Sequence, residues 1–282
     1  MSIPRLDLHD GTSIPQLGFG VFLVPPADTQ QVVEEAIEVG YRHIDTAQMY
    51  GNEEGVGAAI AASGLPRDDF YVTTKLNNSF HRPNDVRRSF DESLARLGLE
   101  QVDLFLIHWP LPTRYDGDYV STWRAMTELV DAGGTRSAGV SNFHPDHLDR
   151  IVTETGVAPV INQIEVHPYL TNEAARAASH RHGAVVEAWS PIARGRVVDD
   201  AVIGRIAGEV GRTPSQVTLR WHLQRGDIVF PKSVHRARME ENFEVFDFEL
   251  SPAQAAAIDA LDEGEAGRVG PNPDVFDRIP EA

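Results

Sequence analysis

Four side chains in this 282-residue chain are of types that move protons together. Asp45 closes the run Arg42-His43-Ile44-Asp45-Thr46, and Tyr50 follows shortly after it. Lys75 ends Thr73-Thr74-Lys75, and His108 follows the apolar run Leu104-Phe105-Leu106-Ile107. A free tyrosine has a pKa of about 10 and exchanges protons poorly near neutrality. A neighbouring ammonium favours the phenolate and lowers that pKa, a role open to Lys75, while Asp45 would keep the lysine charged and in place. His108 would donate to a carbonyl oxygen and orient it. Taken singly, each has an ordinary reading as a solvated strand-end charge, an amphipathic tyrosine or a core histidine. Their arrival at three consecutive strand ends favours shared proton donation.

The elements that must position them are short apolar runs, each followed by a helical pattern. The runs are Gln16–Gly20, Tyr41–Thr46, Phe70–Lys75, Val102–His108, Thr135–Ser141, Val160–Glu165, Ala184–Ser190 and Ile228–Lys232. Nearly all-apolar runs such as Val102–Ile107 suit strands covered on both faces. Asp28-Thr29-Gln30-Gln31 predicts a capping box before Val32, Val33, Ala36 and Ile37, which share one helical face. Thr213-Pro214-Ser215-Gln216 and Ser251-Pro252-Ala253-Gln254 each place a hydroxyl at the N-cap, proline first and glutamine third. Eight strand–helix units in one uninterrupted chain predict a single (β/α)₈ TIM barrel domain over residues 1–282. An open doubly wound sheet is the competitor, because periodicity alone does not show closure. Residues 3–15, with Asp10-Gly11 between apolar stretches, predict a β-hairpin plugging the barrel's lower end. From Gly264 the chain reads as a loop tail.

Composition excludes several alternatives. With 42 acidic and 25 basic residues the net charge is −17, so nucleic acid and anionic membranes are poor partners. Zero cysteines exclude disulfides, thiolate catalysis and Cys-ligated metal. No metal is assigned: His144-Pro145-Asp146-His147 opens a predicted helix without a clear third ligand, and His180-Arg181-His182 ends another. The first ten residues lack a basic segment followed by an apolar stretch, and no run is long enough to span a membrane, so the cytosol is expected.

Three segments carry a family resemblance. Gly40-Tyr41-Arg42-His43-Ile44-Asp45-Thr46-Ala47 with Tyr50-Gly51-Asn52-Glu53 resembles the first signature of the aldo-keto reductase family. Gly139-Val140-Ser141-Asn142-Phe143 resembles the second, and Pro231-Lys232-Ser233 with Arg238, Glu241 and Asn242 the third. Stretches Ser13–Phe22, Gly51–Gly64 and Gly98–Pro110 look most like prokaryotic 2,5-diketo-D-gluconate reductases. The resemblance implies that Tyr50 is the proton donor, that Lys75 and Asp45 tune it, and that His108 positions the substrate carbonyl.

It also implies NADPH as hydride source, held without a Rossmann fold. Gly18-Phe19-Gly20 has Leu23 where the dinucleotide fingerprint needs its third glycine, so these glycines are read as a tight strand-end turn near the nicotinamide. Lys232, Ser233 and Arg238 supply two cations and a hydroxyl suited to the adenosine 2′-phosphate, and His235 adds a donor. By resemblance, Glu241 and Asn242 contact adenine, while Ser141, Asn142 and Gln163 hold the carboxamide. Trp189 stacks under the nicotinamide; core packing is the alternative for it. Gly20, Val21, Ser190 and Val234 are placed beside the cofactor, and Ile192, Ala193, Arg194 and Gly195 beside the pyrophosphate. Phe22, Asn77 and Trp109 would line the substrate pocket, closed by the tail from Gly264.

Trp189 stands where many members have tyrosine, and Asn77 where related reductases often place tryptophan, which opens the pocket and makes it more polar. The implied function is NADPH-dependent reduction of aldehydes and ketones, small dicarbonyls or keto-sugars, by a monomer. Two alternatives come from other classes. One is an NADPH-binding sensor with little turnover; the other is a barrel hydrolase using Asp45 and Glu187 or another carboxylate pair, which leaves Lys232, Ser233 and Arg238 unexplained.

Overall fold

The computed structural model describes residues 3–280. Strands β1 (Arg5–Asp7) and β2 (Ser13–Pro15) pair antiparallel across the Asp10-Gly11 turn. The eight apolar runs form one parallel sheet. Its strands are β3 (Phe19–Gly20), β4 (His43–Asp45), β5 (Tyr71–Leu76), β6 (Val102–Ile107), β7 (Thr135–Ser141), β8 (Ile161–Glu165), β9 (Val185–Trp189) and β10 (Ile228–Val229). Neighbours in the sheet are neighbours in sequence. The sheet closes: Leu17 bridges Val229, Gly18 N–H donates to Val229 O at 2.8 Å, and Val229 N–H donates to Gln16 O at 3.1 Å. Closure decides for the barrel over the open sheet.

Helices α1 (Pro26–Val39), α2 (Glu53–Ala62), α3 (Pro83–Leu97), α4 (Tyr119–Asp131), α5 (Pro145–Thr155) and α6 (Glu173–Arg181) follow β3 to β8 in turn. The β9–β10 crossover holds α7 (Ala201–Val210) and α8 (Pro214–Gln224), and α9 (Arg236–Phe243) and α10 (Pro252–Asp259) follow β10. Thr213 and Ser251 cap α8 and α10 through reciprocal bonds with Gln216 and Gln254, as expected. The start of α1 differs. It begins at Pro26 with no side-chain cap, and Thr29 Oγ1 donates to Pro25 O at 2.9 Å. Proline at the first helical position already fixes φ, so Asp28 lies within the first turn instead of capping it.

Strand alternation sorts the core into two layers. On β6, Phe105 and Ile107 pack with the helices, whereas Leu104 and Leu106 fill the barrel with Leu8, Ile14, Tyr71, Ile161 and Ile228. The hairpin thus seals the end where the strands begin, and Ser137 Oγ fastens it to Asp10 at 2.6 Å. At the opposite end the alternation brings Asp45 and Lys75 inward.

Candidate active site

The four proton-handling side chains meet at the C-terminal mouth. Lys75, wholly buried, donates to Asp45 Oδ1 at 2.7 Å and to Thr46 O at 2.9 Å, and its Nζ lies 3.3 Å from the Tyr50 hydroxyl. The Tyr50 and His108 rings stand 5.6 Å apart, nearly perpendicular. Burial opposes the charge on Lys75, but Asp45 and Tyr50 together outweigh it and hold the ammonium above its usual pKa. Tyr50 departs from expectation. Lys75 does pull its pKa down, yet burial is the larger effect and, with Asp45, leaves the phenol above its ordinary value. Tyr50 therefore holds its proton at neutrality, and a phenolate formed there would sit beside the Lys75 ammonium. Burial, then Lys75 and His81, push His108 well below the usual imidazole range. Its buried Nδ1 has no partner among the described residues, so the neutral tautomer with the proton on Nε2 leaves only a lone pair unsatisfied there.

The short helical turn Gln48–Tyr50 that presents Tyr50 is held by Gln48, which no motif singles out, and by Asn52 and Glu53 of the first signature stretch. Gln48 Nε2 donates to Ser89 O at 2.9 Å and Ser93 Oγ at 2.8 Å. Asn52 accepts from Thr46 Oγ1 at 2.8 Å and donates to Val21 O at 3.0 Å. Glu53 accepts from Thr74 Oγ1 and Arg96 Nε, both at 2.7 Å. The signature stretch points to Asn52 and Glu53, whereas nothing local points to Gln48; burial of these polar groups is visible only in three dimensions.

Beside this set lies a second cluster. Ser141 Oγ and Asn142 N–H both donate to Gln163 O, at 2.8 and 2.9 Å. Asn142 is held in the left-handed region at φ 64°, its Nδ2 donating to His108 O at 2.8 Å, while Trp189 Nε1 donates to Asn142 Oδ1 at 2.8 Å. The indole plane is thereby fixed, with Trp189 half-buried at the mouth. Gln163 Nε2 donates to Asp45 Oδ2 at 2.8 Å and Glu187 Oε2 at 2.9 Å, which leaves Oε1 as the atom open to an incoming amide. Ser190, Ala193 and Arg194 adopt positive φ, tightening the loop that contains Ile192.

Around α9, Lys232, Val234 and Arg238 are exposed, and among the described residues neither cation pairs with a carboxylate, unlike Arg236, which binds Glu38 and Glu240. Two unpaired cations at one helix start in an acidic chain fit a phosphate monoester. Glu241 Oε1 accepts from Thr213 Oγ1 at 2.7 Å, and Asn242 is buried beside it in the chain. The donor set thus matches the expected cofactor, with two adjustments there and one in the expected substrate pocket. The Ser233 hydroxyl is already tied into its own turn with His235, at 3.0 and 3.1 Å. Gly20 lies within β3, where a Cβ would meet Phe230 O at 2.7 Å; the tight turn is the next segment, where Val24 N–H reaches Val21 O at 3.0 Å. Asn77 Oδ1 caps the following turn by accepting from Ser79 N–H at 3.0 Å, so half its amide is unavailable to substrate.

Phe22, half-exposed, leans on Tyr50 at 5.0 Å between ring centroids. Trp109 packs at 4.2 Å on Phe276, a tail residue absent from the expected pocket. The tail crosses the mouth, fastened where Glu165 accepts from Val269 N–H at 2.5 Å and Gly270 N–H at 3.0 Å, and where Asp274 meets His144 at 2.7 Å.

The profile of the Aldo/keto reductase family matches residues 16–263. A Mycolicibacterium smegmatis protein named aldo-keto reductase is 48% identical, covering 97% of this chain and 98% of its own. A Yersinia pestis protein named methylglyoxal reductase DkgA is 47% identical, covering 97% of each. The crystal structure of a Gox0644 mutant in complex with NADPH superposes with a TM-score of 0.93 at 43% identity, covering 98% of this chain and 99% of that one.

Proposed function

The chain belongs to the aldo/keto reductase family and reduces carbonyl compounds with NADPH, and from that premise we propose that Tyr50 is its proton donor. When bound, NADPH supplies the hydride that reaches the carbonyl carbon. Tyr50 passes its phenolic proton to the carbonyl oxygen as negative charge develops there. Lys75, 3.3 Å from the phenol and 2.7 Å from Asp45, stabilises the phenolate left behind; this contact carries the reading. Neutral His108 directs the oxygen through Nε2–H. Phe22, Trp109 and Phe276 wall the pocket, with the free amide end of Asn77 at its edge.

In the same reading, Lys232 and Arg238 take the 2′-phosphate. Gln163 Oε1, with Ser141 and Asn142, receives the carboxamide, and Trp189 offers its face to the nicotinamide. Val21, Ser190, Ile192, Ala193 and Val234 line the cofactor's path, and Glu241 and Asn242 its adenine end. Small dicarbonyls are the proposed substrates, supported by the Yersinia pestis relative named for methylglyoxal, with keto-sugars second. No helix among the described residues is long and apolar enough to cross a membrane. A single-domain monomer in the cytosol is the proposed working form.

The test is NADPH oxidation with a carbonyl panel including methylglyoxal, comparing wild type with Tyr50→Phe. The expected result is a fall in kcat of about 10²–10⁴-fold with NADPH affinity retained. Unchanged turnover overturns the assignment of Tyr50, and binding without turnover on any carbonyl indicates a sensor.

A further inference from the structure

Glu187 on β9 lies inside the barrel, wholly buried, and has no part in the proton transfer above. Its Oε2 accepts from Gln163 Nε2 at 2.9 Å, and the same nitrogen donates to Asp45 Oδ2 at 2.8 Å. Asp45 pairs with Lys75 at 2.7 Å through Oδ1, and its Oδ2 accepts from the N–H side of the amide. One amide proton is thereby committed to Asp45 and the other to Glu187. With both engaged, the amide orientation is fixed and Oε1 is its remaining hydrogen-bonding atom. Were Glu187 apolar, the second N–H would be buried without an acceptor, and the amide would be held from one side alone.

We propose that Glu187 is a positioning residue, which accepts the second N–H of Gln163 and so presents Gln163 Oε1 to the cofactor's carboxamide while steadying Asp45 for Lys75. This rests on the reading of Gln163 as a carboxamide acceptor. The groups facing Glu187 explain how an acid serves there. Asp45 and His43 come from β4, Tyr71 and Lys75 from β5, and Gln163 from β8. Lys75 balances Asp45, which leaves a second carboxylate uncompensated. Burial, then Asp45, push Glu187 up to about 8, and burial holds His43 neutral, down to about 3. Near neutrality Glu187 is therefore a carboxylic acid offering a carbonyl oxygen, the same acceptor that glutamine would offer.

Equilibrium binding of NADPH, followed by quenching of intrinsic tryptophan fluorescence, tests this without turnover. The proteins are wild type, Glu187→Met, Glu187→Gln and Gln163→Met, with Glu187→Ala replacing Glu187→Met if the longer side chain prevents folding. Losing one neutral acceptor weakens binding about 3–10-fold in Glu187→Met. Glu187→Gln restores affinity to within about 2-fold, because its carbonyl still accepts. Equal weakening in both Glu187 variants overturns the proposal, since loss of the acceptor is then not the cause. Wild-type affinity in Glu187→Met, with weakening in Gln163→Met, overturns it while keeping the reading of Gln163. Wild-type affinity in Gln163→Met removes that reading and the proposal together.

Discussion

Gly270 lies against the edge of Trp189 so closely that a Cβ built on it would stand 2.3 Å from the indole Cη2. The same Cβ would be 3.0 Å from Glu165 Oε2, which accepts the Gly270 N–H. The tail and the Trp189 indole, the proposed nicotinamide platform, are therefore in direct contact, and the missing side chain permits it.

Gly270→Ala accordingly forces either the tail or the indole to move. We expect shifted tryptophan emission and NADPH affinity weakened about 3–10-fold, as one well-placed contact is lost. Fluorescence titration checks this, and unchanged emission together with unchanged affinity counts against the contact.

Lys75→Met removes the charge proposed to meet the phenolate and leaves Asp45 buried without its cationic partner. The expected outcome is a kcat fall of at least about 10²-fold on every carbonyl, together with a lower Tm, because breaking a buried pair strands the remaining charge. Steady-state kinetics and thermal melting measure both effects.

Lys232→Ala and Arg238→Ala each remove a cation that no carboxylate among the described residues neutralises. Each is expected to weaken NADPH binding about 10-fold, more steeply at low salt, and to leave NADH binding nearly unchanged. Parallel titrations with the two cofactors decide the matter. Equal losses for both would place the cations away from the 2′-phosphate.

Glu187 carries a pH signature in stability. Its pKa rises from 4.5 to about 8 on folding, so between these values the folded chain holds a proton that the unfolded chain releases. Stability contributed at this site is intact below the unfolded pKa, declines as pH rises and levels off beyond about 8. Glu187→Gln removes this decline, so its Tm advantage over wild type widens with pH, to on the order of 5 °C at neutrality. Melting curves across that interval test it, and a gap independent of pH argues against a protonated acid.

Much of the site was legible because it depends on local spacing. Asp45, Lys75 and His108 fall at the ends of apolar runs, and in a parallel barrel that end is the mouth. Thr213 and Ser251 announced their helices because capping spans only a single turn. The cap of α1 was misplaced, since Asp28 and Pro26 both suit a helix start and Pro26 comes first in the chain.

The sequence by itself determined the eight repeating units, the hairpin beneath them and the residue types gathered for proton transfer, because alternation, capping and turn chemistry act over a few residues. Tertiary structure alone decided the rest. Closure needed Leu17 beside Val229, and the amide of Gln163 reached Asp45 across 118 positions of chain. The net direction of the Tyr50 pKa depended on how much water its neighbours exclude, which no local pattern encodes. Phe276 came to lie on Trp109 because the tail crosses the mouth. Such contacts arise from packing between segments distant in the chain, so their chemistry exists only once the barrel has closed.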